Sequence, residues 1–127
     1  MAVTTTFAQS IRVGNENAIT ASEEITTDTA QVISDNVSGT SPVLTSMLGF
    51  DTTKLSYFFW VADEDMTLKF AGATSVPQNF PLTANIPLSW TSGSYITCPL
   101  TGIITTLSGL NDSDVNTLLT GRVGTVA

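Results

Sequence analysis

The chain has 127 residues, enough for one domain that buries about two-thirds of its unfolded surface without disulfide help. Its net charge of −7, from four basic and eleven acidic residues, argues against binding a phosphate backbone or an anionic lipid surface. Histidine is absent, which removes Ser–His and Cys–His nucleophile pairs and every His-based metal site.

Charged residues make up 12% of the chain, about half the usual share. Thr and Ser take their place, together at roughly a quarter of the residues. Thr is β-branched and neutral, and suits a half-buried pleated surface. An apolar content of 42% and a mean hydropathy of +0.24 exclude a disordered acidic chain. No run approaches the length of a membrane span. The opening MAVTTTFAQSIRVG lacks a basic region followed by an apolar core, so no secretory signal is expected.

Turn residues recur every eight to twelve positions, the spacing of an all-β sandwich or barrel. Thr4–Val13 alternates, with Phe7, Ile11 and Val13 on one face, until Gly14-Asn15 breaks it. Ala18–Ala21 and Ile25–Ile33 read as Thr-rich strands, and Asn36–Thr40 as a loop. The segment SPVLTSMLG has two readings. Ser41, Pro42 and Gly49 could frame one or two helical turns, while Val43, Thr45 and Met47 alternate as in a strand. The strand fits the surrounding β pattern better.

Leu55–Ala62 and Met66–Ala71 read as a hairpin joined by the acidic turn Asp63-Glu64-Asp65. The first strand carries large apolar groups on both faces, Tyr57, Phe59 and Val61 against Phe58, Trp60 and Ala62. Such a strand must be covered twice, by its own core and by something else. Beyond it, Ser75–Phe80 reads as a Pro-containing loop. Pro81–Trp90 reads as an alternating segment that Pro87 confines to an edge or bulge. Tyr95–Cys98 and Ile103–Leu107 read as short strands. The tail Val115–Val123 reads either as a last strand or as a short helix capped by Asp112. No linker, repeat or second domain is visible. The expected fold is all-β, a single-domain antiparallel β-sandwich of jelly-roll type, with at most one or two short helical turns.

Few residues suggest chemistry. Asp63 and Asp65 are candidate oxygen ligands for Ca²⁺ or Mg²⁺, yet adjacent carboxylates on a turn diverge, whereas Ca²⁺ needs six or more converging oxygens. Asp112-Ser113-Asp114-Val115-Asn116 opens like a calcium loop, but Thr117 stands where its Gly belongs and Val123 where its bidentate Glu belongs. Cys98, the only cysteine, reads as a small buried thiol. Asn36-Val37-Ser38 and Asn111-Asp112-Ser113 match the glycosylation sequon, with no secretory signal to give that match meaning. No Gly-rich phosphate loop occurs. No cofactor is expected, and no catalytic residue.

The chain resembles small accessory proteins of tailed-bacteriophage virions, the decoration, cement and other head- or tail-associated β-modules. The resemblance lies in the Thr-rich N-terminal strand, LSYFFWVADEDMTLKF, the L-x-A-x-x-P-x-x-W segment at Leu82–Trp90, Pro99-Leu100, and the apolar C-terminal strand ending in Arg122-Val123. It implies a non-enzymatic protein, made in the host cytoplasm and resident in the virion. Such a protein would form a homo-oligomer and bind the major capsid or another virion protein, with no role for nucleic acid or membrane. Phe58 and Trp60 are then the expected interface residues, so that Phe58→Ser weakens assembly and spares the fold. Phe7 and Ile11 follow if residues 1–16 form an arm that joins a neighbour's sheet. The alternative is a carbohydrate- or receptor-binding module of a virion fibre, using Trp90, Tyr95 and the acidic loops.

Overall fold

The computed structural model describes residues 2–39, 43–72, 78–113 and 115–126, with the backbone alone for 43–48. The described residues form ten strands: β1 Val3–Ile11, β2 Ile19–Thr27, β3 Thr29–Val37, β4 Val43–Asp51, β5 Leu55–Ala62, β6 Met66–Ala71, β7 Gln78–Leu82, β8 Leu88–Thr91, β9 Ile103–Asn111 and β10 Thr117–Thr125. One 3₁₀ turn, Thr52–Lys54, precedes β5; the Asp51 carboxylate caps it by accepting from Thr53 N at 2.9 Å and Thr53 Oγ1 at 2.8 Å. Those two bonds, with a smaller contribution from Lys54, hold the Asp51 carboxyl below its ordinary pKa.

Eight strands make two four-stranded antiparallel sheets, ordered β3-β10-β5-β8 and β4-β9-β6-β7. Successive strands alternate between the sheets except at β6-β7, and this order is that of a jelly roll. The remaining pair, β1-β2, is a separate antiparallel ribbon lying on the outer side of the first sheet.

The acidic connector Asp63-Glu64-Asp65 is therefore not a hairpin turn. It is an arch that carries the chain from one sheet to the other, since β5 pairs with β10 and β8 while β6 pairs with β9 and β7. The reason lies in the side chains. Phe58, Trp60 and Ala62 on β5 and Met66, Leu68 and Phe70 on β6 are all buried in one core cluster. Stacked face to face they bury each other, with the Trp60 and Phe70 rings 5.7 Å apart and edge-on. Side by side in one sheet they would leave the opposite layer unfilled.

The same cluster corrects the expected interface. Phe58 is 1% exposed and Trp60 0%. Phe58 stacks on Trp90 with centroids 6.2 Å apart, so neither Phe58 nor Trp60 is available to a partner. What tips this face inward is β10. Gly121 pairs with Trp60, and a Cβ at Gly121 would lie 2.0 Å from the indole ring. Gly124 pairs with Tyr57 on the opposite face in the same way, its virtual Cβ 2.1 Å from the phenol ring. Each aromatic covers the backbone of a glycine across the ladder. Trp60 Nε1 is buried with no acceptor among the described residues; the indole is held for its bulk.

Two open readings resolve as strands, and two others are adjusted. β10 is a strand rather than a capped helix, and β4 is a strand; Ser41 and Pro42 lie outside the described residues. β7 begins at Gln78, inside the segment read as a loop, whose residues 75–77 also lie outside the description. It tolerates Pro81 because it is an edge strand. Tyr95–Cys98 is loop, not strand.

Two substitutions test the inward face. Phe58→Ala should cost about 3–5 kcal/mol of folding stability, and Gly121→Ala about 1–3 kcal/mol through overpacking against Trp60. Denaturant titration followed by tryptophan fluorescence reads both. A Phe58 variant as stable as wild type would return that residue to the surface.

Candidate functional site

Three carboxylates of the two acidic stretches take hydrogen bonds from neighbouring elements. Asp63 Oδ1 accepts from Leu118 N at 2.8 Å, and Asp65 Oδ1 accepts from Ala84 N at 2.9 Å. These amides belong to different segments, so the two carboxylates point apart and staple the arch to the start of β10 and to the turn after β7. Asp112 Oδ2 accepts from Thr67 Oγ1 at 2.8 Å, and Asn116 Oδ1 accepts from Gly39 N at 3.1 Å. Asp114 lies outside the described residues. Among the described residues no three His, Cys, Asp or Glu side chains come together as a metal site would require.

Asn111 organises this end of the sandwich, a role its sequence neighbours concealed. It is 4% exposed. Its Nδ2 donates to Val37 O at 3.0 Å and Val115 O at 2.8 Å. Its Oδ1 accepts from Ser113 N at 2.9 Å and Ser113 Oγ at 2.7 Å. One amide thus ties β3, β9 and the 112–116 loop together. The calcium-like spacing of that loop is the spacing of a turn wrapped around a buried asparagine.

The remaining unusual surface is the β1-β2 ribbon. Register pairs Val3 with Thr27, Thr5 with Ile25, Phe7 with Glu23, Gln9 with Ala21 and Ile11 with Ile19. Directly paired residues share a face, so these ten side chains form one side of the ribbon and hydroxyls dominate the other. The lower half of the apolar side rests on β5. Phe7 lies edge-on to Tyr57 at 5.2 Å and to Phe59 at 6.4 Å, and Thr5 Oγ1 is 2.9 Å from the Tyr57 hydroxyl. Ile25 and Thr27 are buried here too. The second apolar face of β5 thus finds its cover within its own chain.

The upper half of the ribbon overhangs the body. Gln9 and Ala21 are exposed; Ile11 is 63% exposed, Ile19 74%, and Val13 just beyond β1 69%. Of the two arm residues expected at an interface, Phe7 is engaged with its own sheet and Ile11 is free of it. β1 does add to a strand, but to its own β2.

A cleft of about 400 Å³ runs between the ribbon and β8, lined by Phe7, Gln9, Ala21, Glu23, Trp90 and Ile96 among others. Two of its polar contacts are internal: Glu23 Oε2 accepts from Thr91 Oγ1 at 3.0 Å, and Trp90 Nε1 donates to Ile96 O at 2.8 Å. Tyr95 projects fully into solvent beside it, at 107% relative exposure. Cys98 is half-buried, and burial raises its thiol pKa, with a smaller opposing effect from its hydrogen bond to Leu100. No basic group is placed to activate it. No helix among the described residues is long and apolar enough to cross a membrane.

Comparison with protein-family models, with curated proteins and with solved structures finds no match.

The Asn111 amide has a measurable role. Asn111→Ala removes the amide donor from the buried Val37 carbonyl and the amide acceptor from Ser113, and should cost about 1–3 kcal/mol. Thermal unfolding followed by circular dichroism reads the loss, and an unchanged melting temperature would show that water replaces the amide.

Proposed function

We propose that this chain is a non-enzymatic structural protein of a bacteriophage virion, a decoration, cement or related head- or tail-associated module that binds a larger protein shell. The observation that carries the reading is the overhanging ribbon. Its lower half covers β5, but the exposed apolar end at Ile11 and Ile19 covers nothing in its own fold, and apolar surface of that kind suits a partner.

Three further features support it. Jelly rolls serve as viral capsid domains, an argument at the level of fold analogy that applies to lectins as well. The Thr- and Ser-rich, charge-poor surface suits permanent interfaces, whose centres are depleted of Lys, Glu and Asp. The acidic side chains that could have formed a reactive centre cap backbone amides instead. Residence in the virion after synthesis in the host cytoplasm belongs to the same proposal.

The cleft between ribbon and β8 favours one competing reading, a glycan- or receptor-binding module of a virion fibre. It brings Trp90, Glu23 and several hydroxyls to one groove beside the exposed Tyr95. A glycan array with and without Ca²⁺ addresses that reading.

The leading reading is tested by co-sedimentation of purified protein with phage shells. Saturable binding that survives high salt is the expected result, because the contact is apolar rather than ionic. A protein that stays in the supernatant with every shell, yet binds a glycan, would replace this proposal with its competitor.

A further inference from the structure

We infer that the overhanging half of the β1-β2 ribbon is a self-association surface, and that its occupant is a second copy of this chain. The inference deepens the reading of the protein as an assembly module.

The first argument is continuity. The apolar side of the ribbon is a single face that runs from Val3 and Thr27 to Ile11 and Ile19. Its lower half is covered by β5, its middle faces β8 across a cleft, and its end at Ile11 and Ile19 is exposed. A free two-stranded ribbon is marginal in water, so a face patterned as this one is built to be covered along its whole length.

Area is the second argument. The chain exposes 7630 Å², whereas a compact monomer of 13.4 kDa exposes roughly 6,500 Å² by the scaling of surface with mass. The surplus, about 1,100 Å², belongs to the whole chain, the overhanging ribbon being one contributor, and leaves room for the roughly 800 Å² that each partner buries in a specific protein–protein interface.

Charge identifies the occupant. The segment Ala8–Ser22 contains one cation, Arg12, and one anion, Glu16, and is neutral. The rest of the chain carries three basic residues against ten acidic ones, and so holds the whole net charge of −7. Two copies approaching through any other face meet like charge on average; through the ribbon ends they meet neutral, apolar surface. A basic partner would be drawn to the acidic remainder instead. The patch is also self-complementary, because Ile11 and Ile19 are cross-strand partners and present the same chemistry to a two-fold mate.

The test is solution mass by analytical ultracentrifugation over a wide concentration range, on wild type and on the double variant Ile11→Asp, Ile19→Asp. These side chains are outside the core, so the variant should keep its circular dichroism spectrum and melting temperature measured on the monomer. Wild type should double in mass with concentration, and the variant's dissociation constant should rise about tenfold or more. A second double variant, Ile86→Asp with Leu118→Asp, adds the same charge at exposed apolar positions elsewhere and should associate like wild type. A wild type that stays monomeric, or a control that dissociates as readily as the ribbon variant, overturns the inference. Shell co-sedimentation on the same samples separates the two claims. A monomer that binds shells through Ile11 and Ile19 overturns self-association alone, and a dimer that ignores shells overturns the virion reading alone.

Discussion

Strand β5 is covered on both faces, and the rest of the structure follows from that constraint. Inside, Trp60 meets Phe70 across the sandwich and lies over Gly121. Outside, Tyr57 lies over Gly124 and receives Phe7 from the ribbon. The two glycines on β10 decide how closely the aromatics seat, and the aromatics fix which strand can lie beside β5. Any side chain at Gly121 would push the indole out of the layer that holds the two sheets together. The ribbon is then the second layer of a strand too apolar to be left with one.

The same architecture accounts for where the acidic side chains sit. Carboxylates that looked available in the sequence terminate backbone amides where strands change sheet, at Leu118 and Ala84. A jelly roll changes sheet at almost every connection, so it exposes many unpaired amides at its two ends. In a chain with four cations, short Asp, Asn and Thr side chains supply most of the partners. The acidity of the chain is in this sense partly architectural, and the neutral ribbon end is the side through which self-association is proposed.

Much of the fold was legible in the sequence, and the parts that were not share one cause. Alternation of Phe7, Ile11 and Val13, the two apolar faces of Leu55–Ala62, and the regular turn spacing follow from local periodicity and identified an all-β sandwich. Whether Leu55–Ala62 and Met66–Ala71 pair as neighbours or stack as layers depends on β10, which arrives more than fifty residues later in the chain. The turn residues between them are compatible with either. For the same reason Phe58 and Trp60 could not be told from Tyr57 and Phe59 as the inward set. Both faces are bulky, and the deciding signal is the placement of Gly121 and Gly124 opposite them. Of the candidate site residues, Ile11 was readable as an apolar residue of an N-terminal strand, and its exposure depends on where the ribbon ends. Phe7 was readable as apolar but not as already covered. Asn111 was hidden because its neighbours resemble both a sequon and a calcium loop, while its own role depends on the carbonyl of Val37, far away in sequence.

The central claim is that β5 is sealed on both sides within one chain while the end of the ribbon waits for another. Hydrogen–deuterium exchange measured as a function of protein concentration tests it most directly. Amides of β5 and β10 should be strongly protected and insensitive to concentration, whereas those of Ala8–Ile11 and Ile19–Ser22 should exchange fast when dilute and slow as concentration rises. Ribbon amides as protected as β5 at the lowest concentration, or unchanged across the whole range, would contradict the account.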